Sequence, residues 1–158
     1  MSKIEEYKGY FADCYVLSSK RTKTFILDFL DKFIPNRQES ADEYEIPQYG
    51  EKSEMIFSSA IELIDFLIEK PQEPHTIYWR NLDKSDLRHV MCFFTNDGNI
   101  IMGISTETKY PDTEIEDKIF KQMQDYLSSN EGYITYEEPA PNNVDEFRKI
   151  IKARTHNK

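Results

Sequence analysis

The sequence has little of what would assign a chain to a ready-made class. Its two cysteines, Cys14 and Cys92, are too few for a disulfide framework. Both stand among apolar neighbours, where a cysteine behaves as a small hydrophobe and is expected to remain a reduced thiol. No run of about 18 apolar residues occurs, and Met1–Glu6 has neither a basic start nor an apolar stretch. Neither a membrane span nor a secretory signal is expected, and the chain reads as cytoplasmic. Basic side chains are in deficit, 20 against 29 acidic, for a net charge of −9. Nucleic-acid binding starts from a basic footprint, so that class is disfavoured. The deficit is deeper than the total suggests, because residues 148–158 hold five bases and no acid, leaving the first 147 residues at −14. Such a body is soluble through self-repulsion, or steers a basic partner towards itself.

What is present suffices for a core. Leu, Ile, Val and Phe make up 38 of 158 residues, or 24%, above the roughly 20% below which disorder is the default. One domain over 1–158 is expected, burying roughly 70% of the surface its unfolded form exposes.

Tyr10–Leu17 is aromatic and β-branched and predicts a strand. Phe25, Ile26, Phe29, Leu30 and Phe33 form one helical stripe that Pro35 ends. Residues 36–55 are acidic, hold Tyr44, Pro47, Tyr49 and Gly50, and show no sustained period, so they are expected as a long loop. Ser59–Glu62 and Thr113–Glu116 have the capping-box pattern at the heads of two helices. Between them lie three strand-like runs, His75–Arg80, Leu87–Thr95 and Asn99–Glu107, the last two joined by a tight turn at Asn96-Asp97-Gly98. Tyr133–Tyr136 predicts a short strand, Asn143 caps a last helix through Val144, Phe147, Ile150 and Ile151, and residues 153–158 read as a basic mobile tail. Hairpin-connected strands imply an α+β domain with a mostly antiparallel sheet and helices packed on one face.

Motifs for chemistry are weak. Gly98 and Gly103 with Ser105 have the spacing of a phosphate loop, but Ile104 stands where the lysine is required and the intervening residues form a strand. Gly103 instead marks a bulge or a close approach. His89 and Cys92, three apart on a strand, point to opposite faces and cannot share a metal. No serine sits in a nucleophile turn. Asp112, Glu114, Glu116 and Asp117 fit the electropositive start of a helix. On His75–Asn81, alternation puts Trp79 on one face and Tyr78 and Arg80 on the other, where both residue types favour contact with a partner. Glu137 and Glu138 precede two prolines and, on a strand, would point to opposite sides.

Several phrases taken together carry a resemblance: Phe33-Ile34-Pro35-Asn36-Arg37, Glu39-Ser40-Ala41-Asp42-Glu43-Tyr44, Tyr78-Trp79-Arg80-Asn81, Cys92-Phe93-Phe94-Thr95-Asn96-Asp97-Gly98 and Gly132-Tyr133-Ile134-Thr135-Tyr136-Glu137-Glu138-Pro139. The chain resembles the small acidic α+β immunity proteins found beside bacterial polymorphic and contact-dependent toxins. The resemblance implies a non-enzymatic inhibitor of one cognate toxin, commonly a nuclease with a basic cleft, and supplies no site residue. From the residues themselves, Asp42, Glu43, Tyr44, Glu45 and Tyr49 are the expected contact surface, with Tyr78, Arg80, Glu137 and Glu138 as further candidates. No cofactor, metal, nucleic acid or membrane partner is expected, and the chain is read as a monomer or weak homodimer. Two alternatives stand beside this: a small hydrolase or transferase built on His89, Cys92 and Glu137, and a self-associating regulatory or scaffold domain.

Overall fold

A computed structural model describes residues 11–156 of the chain. Met1–Glu6, Tyr10, Asn157 and Lys158, which figure in the expectations above, lie outside the described residues. The elements run β1 (Phe11–Ser18), α1 (Lys23–Phe33), β2 (Arg37–Glu39), β3 (Tyr44–Ile46), β4 (Met55–Phe57), α2 (Ala60–Glu69), β5 (His75–Asn81), β6 (Leu87–Phe94), β7 (Ile100–Glu107), α3 (Glu114–Leu127), β8 (Gly132–Thr135) and α4 (Val144–His156). Six strands form one sheet in the order β2-β5-β6-β7-β1-β8, every pair antiparallel, and β3 and β4 form a separate two-stranded ribbon. The α+β architecture with an antiparallel sheet is as the strand and helix signals imply.

Alternation along the strands sorts the core into two layers. On the first face Cys14, Val16, Ile77, Trp79, Val90, Cys92 and Met102 meet Ile26, Phe29 and Leu30 of α1, Leu63, Ile64 and Leu67 of α2, and Met123 of α3. Each fully buried Leu, Ile or Phe there contributes roughly 1.5–3 kcal/mol. The second face carries a smaller cluster in which Tyr15, Leu17, Met91, Phe93, Ile101 and Tyr133 pack with Val144 and Phe147. Three helices thus share one face, while α4 lies across part of the other. The central strands bury side chains on both sides, which explains the near-continuous apolar run of β6.

Local signals account for most element ends. The Thr22 hydroxyl accepts from Phe25 N–H (3.2 Å), Ser59 from Glu62 N–H (3.2 Å) and the Asn143 side chain from Glu146 N–H (2.8 Å). The β6–β7 hairpin turns at Gly98, whose φ of +85° glycine adopts without steric cost. Gly103 is a close approach: an added Cβ would stand 2.9 Å from the Tyr15 ring.

Three expectations are corrected. Thr113 makes no side-chain cap at α3. Its hydroxyl donates to Asp117, and Asp112 accepts from Glu114 N–H in its place. The Glu116 meant to complete that box is fully buried and accepts instead from Thr108 (2.7 Å) and Tyr136 (2.8 Å). Residues 36–55 are not one loop, because β2 extends the sheet beside β5, and Tyr44 and Ile46 of β3 enter the main core. The expected tail is helical through His156, held where Arg154 donates to the Ile134 carbonyl (2.9 Å) and covers the Tyr133 ring.

One buried cation ties the layers together. Arg21 donates to the carbonyls of Thr95, Asn99, Leu67, Lys70 and Glu73, joining the β6–β7 hairpin to the end of α2, and its guanidinium lies 5.0 Å from the centre of the Phe94 ring. No helix among the described residues is long and apolar enough to cross a membrane.

Candidate functional site

The register of the sheet writes the second face as parallel rows of side chains. One row is polar: Thr135, Asp13, Ser105, His89, Arg80 and Gln38 stand opposite one another across all six strands. The next is aromatic and thin, with Tyr133, Tyr15, Gly103, Met91 and Tyr78. Because α4 packs on the apolar residues towards Leu17 and Ile101, the polar row is left at the floor of a trough. The trough has two walls from distant parts of the chain.

Residues 43–50 build the first wall. Gln48 holds it to the sheet: its side-chain carbonyl accepts from Thr76 N–H (2.8 Å) and its amide donates to the Thr76 carbonyl (3.2 Å), so one side chain mimics a strand pair beyond the short β2. His75 Nε2 meets the Glu45 carbonyl at 3.0 Å, and burial lowers the pKa of that imidazole. These anchors leave Tyr49 projecting at 88% exposure.

Residues 137–143 build the second wall. The chain reverses at Glu137, a non-glycine residue with φ +56°, a conformation that costs of order 1–3 kcal/mol and persists only where its surroundings over-determine it. Those surroundings are the Tyr15 hydroxyl, donating to the Glu138 carbonyl at 2.6 Å, and the Thr135 hydroxyl, donating to the Glu138 carboxylate at 3.0 Å. Farther along, the Asn142 carbonyl accepts from Asn96 N–H, and the Asp97 carboxylate accepts from Val144 N–H, both at 2.8 Å.

Between the walls lie three adjoining hollows of about 860, 330 and 450 Å³, all of which include Tyr78 in their lining. The largest also takes in Tyr49, Phe93, Glu73, Glu146 and Pro139 to Asn143. Glu43 and Glu45 border the second, and Asp13, Glu137 and Glu138 the third. Among the described residues, seven carboxylates therefore line the trough, and no lysine or arginine does.

Asp13 is the unusual member. It is 6% exposed, and burial raises its carboxyl to a pKa of about 6, with the charge of Glu137 adding to the rise and Ser105 and the backbone of Glu137 and Glu138 opposing it. None of the four ion pairs among the described residues involves it. His89, in the same hollow, has a lowered pKa through burial and then through the charges of Arg88 and Arg80.

The structure thus joins what the sequence offers as separate patches. Glu43, Glu45, Tyr49, Tyr78, Glu137 and Glu138 border one trough, and Glu137 and Glu138 share a hollow because they sit in a turn rather than on a strand. Tyr44 is corrected: at 4% exposure it is a core residue whose hydroxyl donates to Glu39 (2.8 Å). Asp42 is exposed but borders none of the three hollows, and Arg80 is engaged with Gln38 at 2.6 Å. Of the alternative catalytic set, His89 and Glu137 share a hollow, whereas Cys92 lies on the opposite face, fully buried, its thiol pushed far above its ordinary pKa by desolvation. Asp13 is missing from the sequence-derived set. Its signal is a charge within the alternating series Phe11, Asp13, Tyr15, Leu17. No protein-family model, curated protein or solved structure matches the chain.

Proposed function

We propose that this chain is an immunity-type binding protein, which neutralises a cognate bacterial toxin without chemistry by taking a basic segment of it into the trough on the second face of the sheet. The observation that carries the reading is the lining: among the described residues, seven carboxylates with exposed Tyr49 and Tyr78 and no lysine or arginine. Such a surface accelerates encounter with a cationic partner and rejects nucleic acid, while the tyrosines supply contact area at low entropic cost. A toxin whose active cleft is basic, as in a nuclease, presents the matching charge. The walls are fastened at both ends by hydrogen bonds, so little ordering is left to be done on binding.

The test is purification of the tagged protein from its native cells, followed by co-expression with the toxin domain of whatever partner is recovered. One stoichiometric partner bearing a toxic C-terminal domain is expected, with growth restored by the wild-type protein. Glu43→Lys with Glu45→Lys and Glu138→Lys is expected to abolish rescue, since truncating one member of a buried charged contact costs roughly 2–5 kcal/mol. Undiminished rescue by a folded triple variant, or the absence of any toxin partner, overturns the reading.

A further inference from the structure

We propose that the hollow floored by Asp13 is a socket for one cationic side chain, a lysine or arginine presented by the partner. This rests on the reading of the trough as a binding groove and specifies what the hollow over Asp13 receives.

Two features of the hollow act together. Its sides are apolar or aromatic, with Phe11, Tyr15, Tyr78, Met91 and Pro139 around a volume of about 450 Å³. Methylene stems pack against such walls while a charged head stays solvated or paired, and aromatic faces attract cations besides. At the floor is Asp13, a residue 6% exposed whose carboxylate is hydrogen-bonded by Ser105 and the backbone of Glu137 and Glu138 but, among the described residues, forms no ion pair. A buried carboxylate without a counter-charge costs free energy in the unbound protein, so an incoming ammonium or guanidinium both gains an ion pair and removes that cost. Glu137 and Glu138 add negative charge at the rim. An anionic or purely apolar occupant would leave the floor unmatched.

The groups facing Asp13 are Ser105 from β7, Thr135 from β8 and Glu137 and Glu138 from the second wall, with His89 of β6 one strand farther along the row. Burial, and then the charges of Arg88 and Arg80, hold the imidazole towards its neutral form.

The experiment is a carbon-detected NMR titration of the Asp13 carboxyl with N-acetyl-lysine amide, N-acetyl-arginine amide and N-acetyl-norleucine amide, the last matching the lysine stem without its charge. Either cationic probe is expected to move the Asp13 resonance saturably and to lower its midpoint of titration by about one pH unit, as an opposite charge at contact distance does. The norleucine probe is expected to do neither. Asp13→Asn, which keeps the shape, is expected to lose the response of Met91 and Ser105 to the cationic probes at least tenfold. Equal responses to norleucine and lysine, no response to any probe, or unchanged responses in Asp13→Asn overturn the socket. The two readings fail separately: a toxin captured through the trough while the cationic probes leave Asp13 unmoved removes the socket alone, and a probe response without any toxin partner removes the toxin reading alone.

Discussion

The two faces of the sheet are built to different standards. On the first, Cys14, Val16, Ile77, Val90, Cys92 and Met102 are wholly buried beneath three helices. On the second, α4 covers one end, and the remainder exposes a row of polar side chains between two loop walls. The difference teaches where apolar burial accumulates and where an open polar surface is left. The first face supplies the apolar burial that folds the chain, and the second holds groups whose arrangement costs stability, such as a buried carboxylate and a left-handed glutamate.

The sharpest way to break this contrast is through Arg21, which belongs to the stabilising side. Truncation in Arg21→Ala removes five hydrogen bonds to backbone carbonyls between the β6–β7 hairpin and the end of α2, and uncovers Phe94. A loss of about 3–5 kcal/mol is expected, read as a fall of about 10 °C or more in Tm by calorimetry. A loss below 1 kcal/mol would deny the first face its tie.

Asp13→Asn should act in the opposite direction. The folded pKa of about 6 lies above the ordinary 3.8, so the native state holds a proton that the unfolded chain has released. The stability linked to this group is complete below about pH 4 and is lost as pH rises towards and through about 6. Removing the charge is expected to stabilise the protein by up to about 3 kcal/mol at pH 7 and to flatten that segment of the pH profile, as urea melts from pH 4 to 7 would show. An unchanged profile would mean that the carboxylate is not strained.

Tyr15→Phe is the finest probe, since it deletes only the hydroxyl that holds the Glu138 carbonyl. The expected cost is about 1 kcal/mol in stability, with faster amide exchange confined to residues 137–140. Exchange that speeds up across the whole sheet instead would place Tyr15 with the global core rather than the wall.

Most of the first face was legible in the sequence, because its signals are local and periodic. The stripe of α1, the Ser59 cap and the turn at Gly98 each need only a few neighbouring residues. The rest depends on contacts that no short window contains. Glu116 abandons its capping box because Thr108 and Tyr136 compete for its carboxylate. The short β2 and β3 exist because β5 and the core stand beside them, and Tyr44 disappears into that core. Glu137 and Glu138 were visible as candidates, but their turn required knowing where the Tyr15 hydroxyl would lie. Asp13 was readable in principle from alternation along β1. What made it a floor was α4 stopping short of it.

The strand order has a consequence in time. β1, near the start of the described chain, sits between β7 and β8, and the second wall follows β8. A ribosome must therefore deliver the segment beyond residue 140 before the first strand has both neighbours and the trough has two sides. Pairings this distant close late and slowly. A chain that stops before residue 137 lacks the second wall altogether, so the trough waits on the segment that follows β8.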